Sequence, residues 1–226
     1  MGRRCLALRA RTLYQMQSRR SGDHDLARAA QSRADRAEEI TRALYECIRD
    51  RGYAATTLKD VAERAGMSPS HVGYYFENKA AILDDYTTGL CAQVLRSLPA
   101  AGEADLGRLL GAVANYFLGK GQVSTALLGV VQEISGLAVH DDRLKEVKTS
   151  HSTAIRRYFE RVFGNPAARP GLSAREAAWR AHAMLVGLDS NTLFDRGLSQ
   201  AKASEIFHET LCALAGLERP REGKRS

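Results

Sequence analysis

The chain has 226 residues, of which 44% are hydrophobic, and it carries a formal net charge of +7. This length is long for one small domain and short for two ordinary ones, and it is enough to bury an apolar core. No stretch is apolar enough for a transmembrane segment, so we expect no membrane partner. The arginine-rich start lacks the apolar part of a secretory signal. The four cysteines contain no C-x-x-C pair, which predicts reduced thiols, no metal site and a cytoplasmic location.

The positive charge is concentrated at the start of the chain. Residues 1–36 contain nine arginines and three aspartates, a surplus of six charges, which leaves one for the remainder. We predict that residues 1–32 form a basic, disordered arm that adds non-specific affinity for nucleic acid. The alternative is a solvated extension that precedes a true translation start at Met16.

From Asp35 onward the sequence has the periodicity of helices. The first apolar stripe follows the i, i+3, i+4, i+7, i+8 spacing and comprises Ile40, Ala43, Leu44, Cys47 and Ile48. Gly52 ends this helix. Thr57 and Asp60 then resemble a capping box that begins a short helix, and Gly66 ends it.

More helices follow to the end of the chain. Ser68 caps a second short helix, with Pro69 at its first position, and Lys79 begins a longer helix. Five further helices are predicted at about 106–117, 123–138, 142–162, 174–194 and 202–215. No strand pattern competes with them, so the predicted fold class is all-α.

Residues 58–76 have the spacing of a helix-turn-helix. Ala62 supplies a small side chain where two helices cross, and Gly66 supplies a turn residue that tolerates positive φ. Val72 and Phe76 return apolar groups to the first helix. Because neither short helix is stable alone, the helix before them must complete the core.

The segment TTLKDVAERAGMSPSHVGYYFENKAAIL, residues 56–83, resembles the DNA-binding segment of the TetR family of bacterial transcriptional regulators. The resemblance is close over residues 35 to about 85 and rests on architecture elsewhere. It implies a DNA-binding domain at 33–80, a helical ligand-binding and dimerisation domain at 81–218, and a flexible tail at 219–226. It also implies a homodimeric repressor that binds a palindromic double-stranded DNA operator and is released by a small-molecule inducer, with no cofactor.

The resemblance also indicates which residues contact DNA. They are Thr57, Ser68, Pro69, Ser70, His71, Gly73, Tyr74, Tyr75 and Lys79. Ser70 and His71 lie in the first turn of the second helix, the part that reaches base edges in the major groove; a structural role is the alternative for the histidine. Thr57 and Lys79 are expected at phosphates; the alternatives are a helix cap and a solvated lysine.

The tyrosines and the glycine of this helix complete the predicted surface. Tyr74 and Tyr75 can donate phenolic hydroxyls to phosphates, unless one of them belongs to the core. Gly73 departs from the family, which commonly has a tyrosine there. Its missing side chain either lets the helix approach DNA more closely or is a tolerated departure.

The C-terminal half contains no comparable motif. Candidates for lining a ligand pocket are Tyr116, His151, Tyr158 and Trp179, with ordinary core packing as the alternative. The segment HAMLVGLDSNTLFDRGLS, residues 182–199, resembles the end of the choline-sensing betaine regulators of the family, and we name no inducer from it. The resemblance implies a dimer interface on the last two helices, with burial within one chain as the alternative. Its predicted residues are Ala177, Ala181, Met184, Leu185, Leu188, Phe207, Leu211 and Leu214.

An enzyme is not indicated, and no catalytic residue is predicted. The sequence contains no H-E-x-x-H, G-x-S-x-G or P-loop motif and no paired carboxylates at a catalytic spacing. A second alternative is a DNA-packaging protein that uses its basic arm without sequence preference.

Overall fold

All regular structure in the described residues, 31–119 and 125–217 of the computed structural model, is helical. Helix α1 spans 31–51, and the others are α2 (Leu58–Arg64), α3 (Pro69–Tyr75), α4 (Lys79–Arg96), α5 (Leu106–Leu118), α6 (Thr125–Leu137), α7 (Asp142–Phe163), α8 (Ala174–Phe194) and α9 (Gln200–Leu214). The predicted all-α fold class is therefore confirmed. The predicted tail at 219–226 and residues 1–30 of the predicted arm lie outside the described residues.

Local capping explains where the first helices begin and end. The side chain of Thr57 accepts the Asp60 N–H, and the Asp60 carboxylate accepts the Thr57 N–H, which is the predicted capping box. Ser68 accepts the His71 N–H at 3.2 Å, and Pro69 follows at the first helical position. Gly52 and Gly66 have φ values of +81° and +66°, so both turns use the left-handed conformation that glycine adopts without strain.

One apolar core joins helices α1–α4 to α6. The predicted stripe of α1 is buried, as are Val61 of α2, Val72 of α3 and Ile82 of α4. Val130 and Ile134 of α6 belong to the same core, although they lie far away in sequence. The N-terminal helices are therefore stabilised from the C-terminal half as well as by each other.

A second apolar core lies among α5, α7, α8 and α9. Phe159, Phe163 and Phe207 are its largest fully buried side chains. The ring centroid of Phe159 lies 6.4 Å from that of Phe163 and 6.2 Å from that of Phe207. Leu144, near the start of α7, packs in the first core, so α7 contributes to both.

Two polar contacts join the halves. The Tyr53 N–H, in the loop between α1 and α2, donates to Oε1 of Glu133 on α6 at 2.6 Å. Arg143 of α7 pairs with Asp84 of α4 at 2.6 Å. Both fix the angle at which the N-terminal helices meet the C-terminal ones.

Candidate nucleic-acid interface and regulatory domain

Helices α2 and α3 form the predicted helix-turn-helix. Ala62 is 1% exposed at the helix crossing, and Val72 is fully buried beneath α3. The Met67 N–H donates to the Ala62 carbonyl at 2.9 Å, which closes the turn at Gly66. Both helices are seven residues long, so their packing against α1 and α4 holds them in place.

The outer face of α3 is polar and aromatic. Ser68, Pro69, Ser70, His71 and Gly73 are all exposed. Tyr74 is 68% exposed, whereas Tyr75 is half-buried. The Tyr75 ring lies 5.5 Å from the His71 ring and 5.1 Å from the Tyr74 ring, so the three rings brace one another.

Gly73 lies on this face with open space around it. A Cβ added there would meet no atom within 4 Å, and the backbone φ is not positive. Nothing in the folded chain therefore requires glycine at this position.

Thr57 and Lys79 make contacts within the chain. The Thr57 hydroxyl donates to Oδ2 of Asp60 at 2.6 Å, and its hydrogen bonds lower the pKa of Asp60 below the usual value. The Lys79 ammonium donates to the carbonyls of Tyr53 at 2.7 Å and Thr56 at 2.6 Å, and Nζ lies 4.0 Å from the centroid of the Tyr53 ring. Burial lowers the pKa of Lys79.

These contacts correct the expected surroundings of Lys79. The sequence suggested a lysine that faces phosphate or solvent, but two of its three N–H donors hold the loop before α2. The position of a lysine at the start of a helix does not predict that its ammonium donates hydrogen bonds to two carbonyls distant in sequence.

Comparisons with known proteins agree with this geometry. Residues 40–86 match the family described as "Bacterial regulatory proteins, tetR family". The chain is also 29% identical over 157 residues to the HTH-type transcriptional regulator BetI of Burkholderia thailandensis, covering 68% of this chain and 79% of that protein. The chain therefore has a DNA-binding domain of the TetR family at residues 40–86. It is thus a DNA-binding transcriptional regulator and not an enzyme, as predicted.

Solved structures share the fold of this TetR-family chain. A TetR transcription regulator from Haloarcula marismortui superposes with a TM-score of 0.71 at 20% identity, covering 81% of this chain and 97% of that one. The fatty acid degradation regulator FadR from Bacillus halodurans gives 0.65 at 19% identity, with 81% and 96% covered. Salmonella enterica GusR gives 0.65 at 17% identity, with 80% and 96% covered.

Two of the four pocket candidates have buried polar atoms without a partner among the described residues. Nδ1 of His151 and the hydroxyl of Tyr158 are both buried without a hydrogen bond. Burial, and then Lys148, lowers the pKa of His151, and burial raises that of Tyr158. Such groups are costly unless something satisfies them, which is the chemical property expected of a binding site.

The other two candidates have different surroundings. Tyr116 donates its hydroxyl to the Val94 carbonyl at 2.9 Å, so it ties α5 to α4. Trp179 is 51% exposed, with the Arg156 guanidinium carbon 4.0 Å from its ring centroid. Trp179 therefore lies on the outward face of α8 and not among the buried residues.

Sequence reasoning missed two titratable residues of α8. Oδ1 of Asp189 is buried without a partner, and burial raises its pKa to about 7. Burial, together with Arg156 and His151, lowers the pKa of His182 to about 4. Their spacing of seven residues places both on one helix face, which was the available signal.

Most of the predicted dimer residues are core residues of one chain. Ala177, Ala181, Phe207 and Leu211 are 0% exposed, and Leu185 and Leu188 are 5% and 6% exposed. Their side chains pack within the chain, which favours the alternative of burial within one chain for these six. Met184 is 38% exposed and Leu214 is partly exposed, so these two stay available.

The described helices contain no segment long and apolar enough to cross a membrane. In the same part of the chain, no three metal-binding side chains come together.

Proposed function

We propose that this regulator is a cytoplasmic repressor that binds a palindromic operator as a homodimer and leaves it when a small molecule binds the C-terminal helices. The observation that supports this most is the exposed first turn of α3 above the buried Val72. A short, braced helix with a polar outer face suits insertion into a major groove.

Base reading is assigned to Ser70 and His71. Both are exposed near the N-terminus of α3, from which side chains reach base edges in helix-turn-helix proteins. Tyr74 and Tyr75, with the exposed Ser68 and Pro69, form the surrounding surface for backbone contacts. Gly73 leaves room between helix and groove.

Thr57 and Lys79 act mainly through the loop that precedes α2. The capping bonds of Thr57 fix the start of α2, where free backbone amides can meet a phosphate. Lys79 holds the loop through the Tyr53 and Thr56 carbonyls and keeps one N–H donor for DNA. Its loss would weaken binding to all DNA alike.

The dimer is assigned to the outer face of α8, within the proposed C-terminal domain at 81–218. Trp179, Met184 and Val186 are 51%, 38% and 52% exposed, and Ala183 lies among them. Two such faces related by a two-fold axis can bury one another, and Leu214 of α9 can add to the edge. We expect Val186→Glu to give a monomer in sedimentation, whereas Val139→Glu, at an equally exposed valine off α8, should leave the dimer intact. If both variants remained dimers, this assignment would be contradicted.

Release by a ligand is supported by polar atoms that the folded chain leaves unsatisfied. His151, Tyr158 and Asp189 each bury one such atom among the C-terminal helices. A ligand that hydrogen-bonds to these atoms would gain free energy that the empty protein lacks.

The test is selection of DNA by the full chain from a pool of random duplexes. We expect an inverted repeat whose half-sites lie about 34 Å apart or somewhat more, which matches two recognition helices on successive turns. Enrichment of no sequence would contradict the proposal and favour the packaging alternative.

A further inference from the structure

An open groove of about 390 Å³ lies between the end of α6 and residues 145–156 of α7. Three cationic residues of α7 line it: Lys145, Lys148 and Arg156. Among the described residues that line the groove, none is a carboxylate. The groove thus has the charge of an anion site.

None of the three cations forms an ion pair with any described residue. Lys148 donates to the Ser135 hydroxyl, and Nη2 of Arg156 donates to Oγ1 of Thr153 at 3.0 Å. By contrast, Arg143 of the same helix pairs with Asp84 at 2.6 Å. Lys148 and Arg156 are therefore held by neutral groups, and the charge of the groove cations is available to a ligand.

The positive field continues into the protein behind the groove. Burial lowers the pKa of Lys148, and Lys148 in turn contributes to the lowered pKa of His151. Arg156 contributes in the same way to the lowered pKa of His182. The lowered pKa values keep both histidines neutral, so the positive charge lies on the groove cations themselves, and an anion in the groove would favour the charged form of Lys148.

The rest of the lining favours an organic anion over a bare ion. The hydroxyls of Thr149 and Ser152 can donate to an anionic head group, whereas Ser135 already donates to the Val131 carbonyl at 2.6 Å. Ala138 and Val139 form an apolar end, and Val139 is 63% exposed. A ligand with an anionic head and a small apolar body would contact the cations with its head and Ala138 and Val139 with its body.

The groove also borders the contact between the two halves of the molecule. Ser135 lies two residues after Glu133, whose carboxylate accepts the Tyr53 N–H at 2.6 Å. The Tyr53 carbonyl in turn accepts from Lys79 at the start of α4. Ala138 belongs to the N-terminal core as well as to the groove. A ligand that draws Lys148 away from Ser135 would thus act on the helix that supports the DNA-binding half.

We propose that the α6–α7 groove binds a small organic anion, such as a carboxylate or phosphate ester with an apolar body, and that this anion weakens operator binding. The proposal rests on the proposed function, because it assigns the effector chemistry of the same regulator. A small molecule suits the concave, part-apolar groove better than a DNA backbone, which would need an extended charged track.

The test uses probes that share a phenyl group and differ in charge: benzoate, phenyl phosphate, neutral benzamide and cationic benzamidine. At constant ionic strength, calorimetry on the full chain should show binding of at least one anion and no binding of benzamide or benzamidine. Arg156→Gln should weaken binding of the anion about tenfold or more, as expected for loss of a charged hydrogen bond. Lys145→Gln, at an exposed position, should weaken it less without affecting folding. Arg180→Gln, an exposed arginine of α8, is the matched control and should change nothing.

Binding of no anion, or equal binding of benzoate and benzamidine, would overturn the proposal. It would also be overturned if Arg156→Gln weakened binding to duplex DNA and left the probes unaffected, because the groove would then be a DNA contact. Parallel binding measurements with labelled operator distinguish a failure of this proposal from a failure of the proposed function. If the chain selects an operator but does not bind the anions, only the anion site in the groove is refuted. If it binds an anion but selects no operator, only the repressor function is refuted.

Discussion

The two halves of this regulator use polar residues in opposite ways. In the N-terminal half, polar side chains cap helices or lie exposed on α3, and the buried ones, such as Thr56, have partners. In the C-terminal half, His151, Tyr158 and Asp189 bury polar atoms that no described residue satisfies. The first half thus satisfies its buried polar groups, whereas the second leaves three buried polar atoms without a partner among the described residues.

The largest expected effect tests whether the halves fold independently. Phe159 is fully buried in the C-terminal core, and Phe159→Ala should lower the free energy of unfolding by about 3–5 kcal/mol. Because α7 contributes to both cores, urea denaturation should still show one transition, with both halves destabilised. Phe194→Ala, at an exposed aromatic residue, is the control and should cost far less. Two separated transitions would show that the contrast between the halves extends to their stability.

The next effect concerns pH and the buried groups of α8. Asp189 has a pKa near 7 when folded and about 3.9 when unfolded, so between these values the folded state holds the extra proton. Its contribution to stability is complete below pH 4 and is lost as pH rises to about 7. For His182 the pKa is lowered from 6.5 to about 4, so its contribution is present above pH 6.5 and is lost as pH falls. The free energy of unfolding therefore falls with rising pH through Asp189 and rises with pH through His182, so the two contributions have slopes of opposite sign.

Single variants should separate these slopes in urea denaturation at several pH values. His182→Gln leaves Asp189, so stability should fall as pH rises from 4 to 7, by at most about 1.4 kcal/mol per pH unit. Asp189→Asn leaves His182, so stability should fall as pH drops below 6.5. Asp85→Asn, at an exposed position of α4, is the control. If both α8 variants keep the slope of the unmodified protein, the buried groups do not titrate as described.

The smallest effects come from two glycines of the N-terminal half. Gly66→Ala should destabilise the chain by about 1–2 kcal/mol, because φ is +66° there. Gly73→Ala should stabilise it by about 1 kcal/mol, because the position is helical and has free space. Thermal denaturation and operator titration of both variants provide the check. If Gly73→Ala raises both stability and operator affinity, the glycine has no role in close approach to DNA.

The same contrast explains which features the sequence could predict. The capping box at Thr57, the cap at Ser68 and the positive φ at Gly66 are local, because residues within four positions determine them. The helix-turn-helix and its exposed face were therefore predictable, as was the buried stripe of α1.

The features that the sequence could not predict depend on packing between distant helices. An apolar stripe on α8 does not tell whether α7 or a second subunit covers it, and only the packed structure shows that Ala177 and Ala181 are buried within one chain. The ammonium of Lys79 binds carbonyls more than 20 residues away, which no local pattern encodes. The groove between α6 and α7 likewise exists only once the two helices pack.

The most direct test of the central claim is the base preference of His71→Ala, measured by titrating the full chain against the selected operator and each of its single-base variants. Because His71 lies exposed in the first turn of α3, we expect a loss of about 1–3 kcal/mol on the best site and relaxed preference at particular base pairs. His140→Ala, another exposed histidine outside the helix-turn-helix, should behave as the unmodified protein. Uniform weakening on every sequence, or no change at all, would contradict the assignment of base reading to this turn of α3.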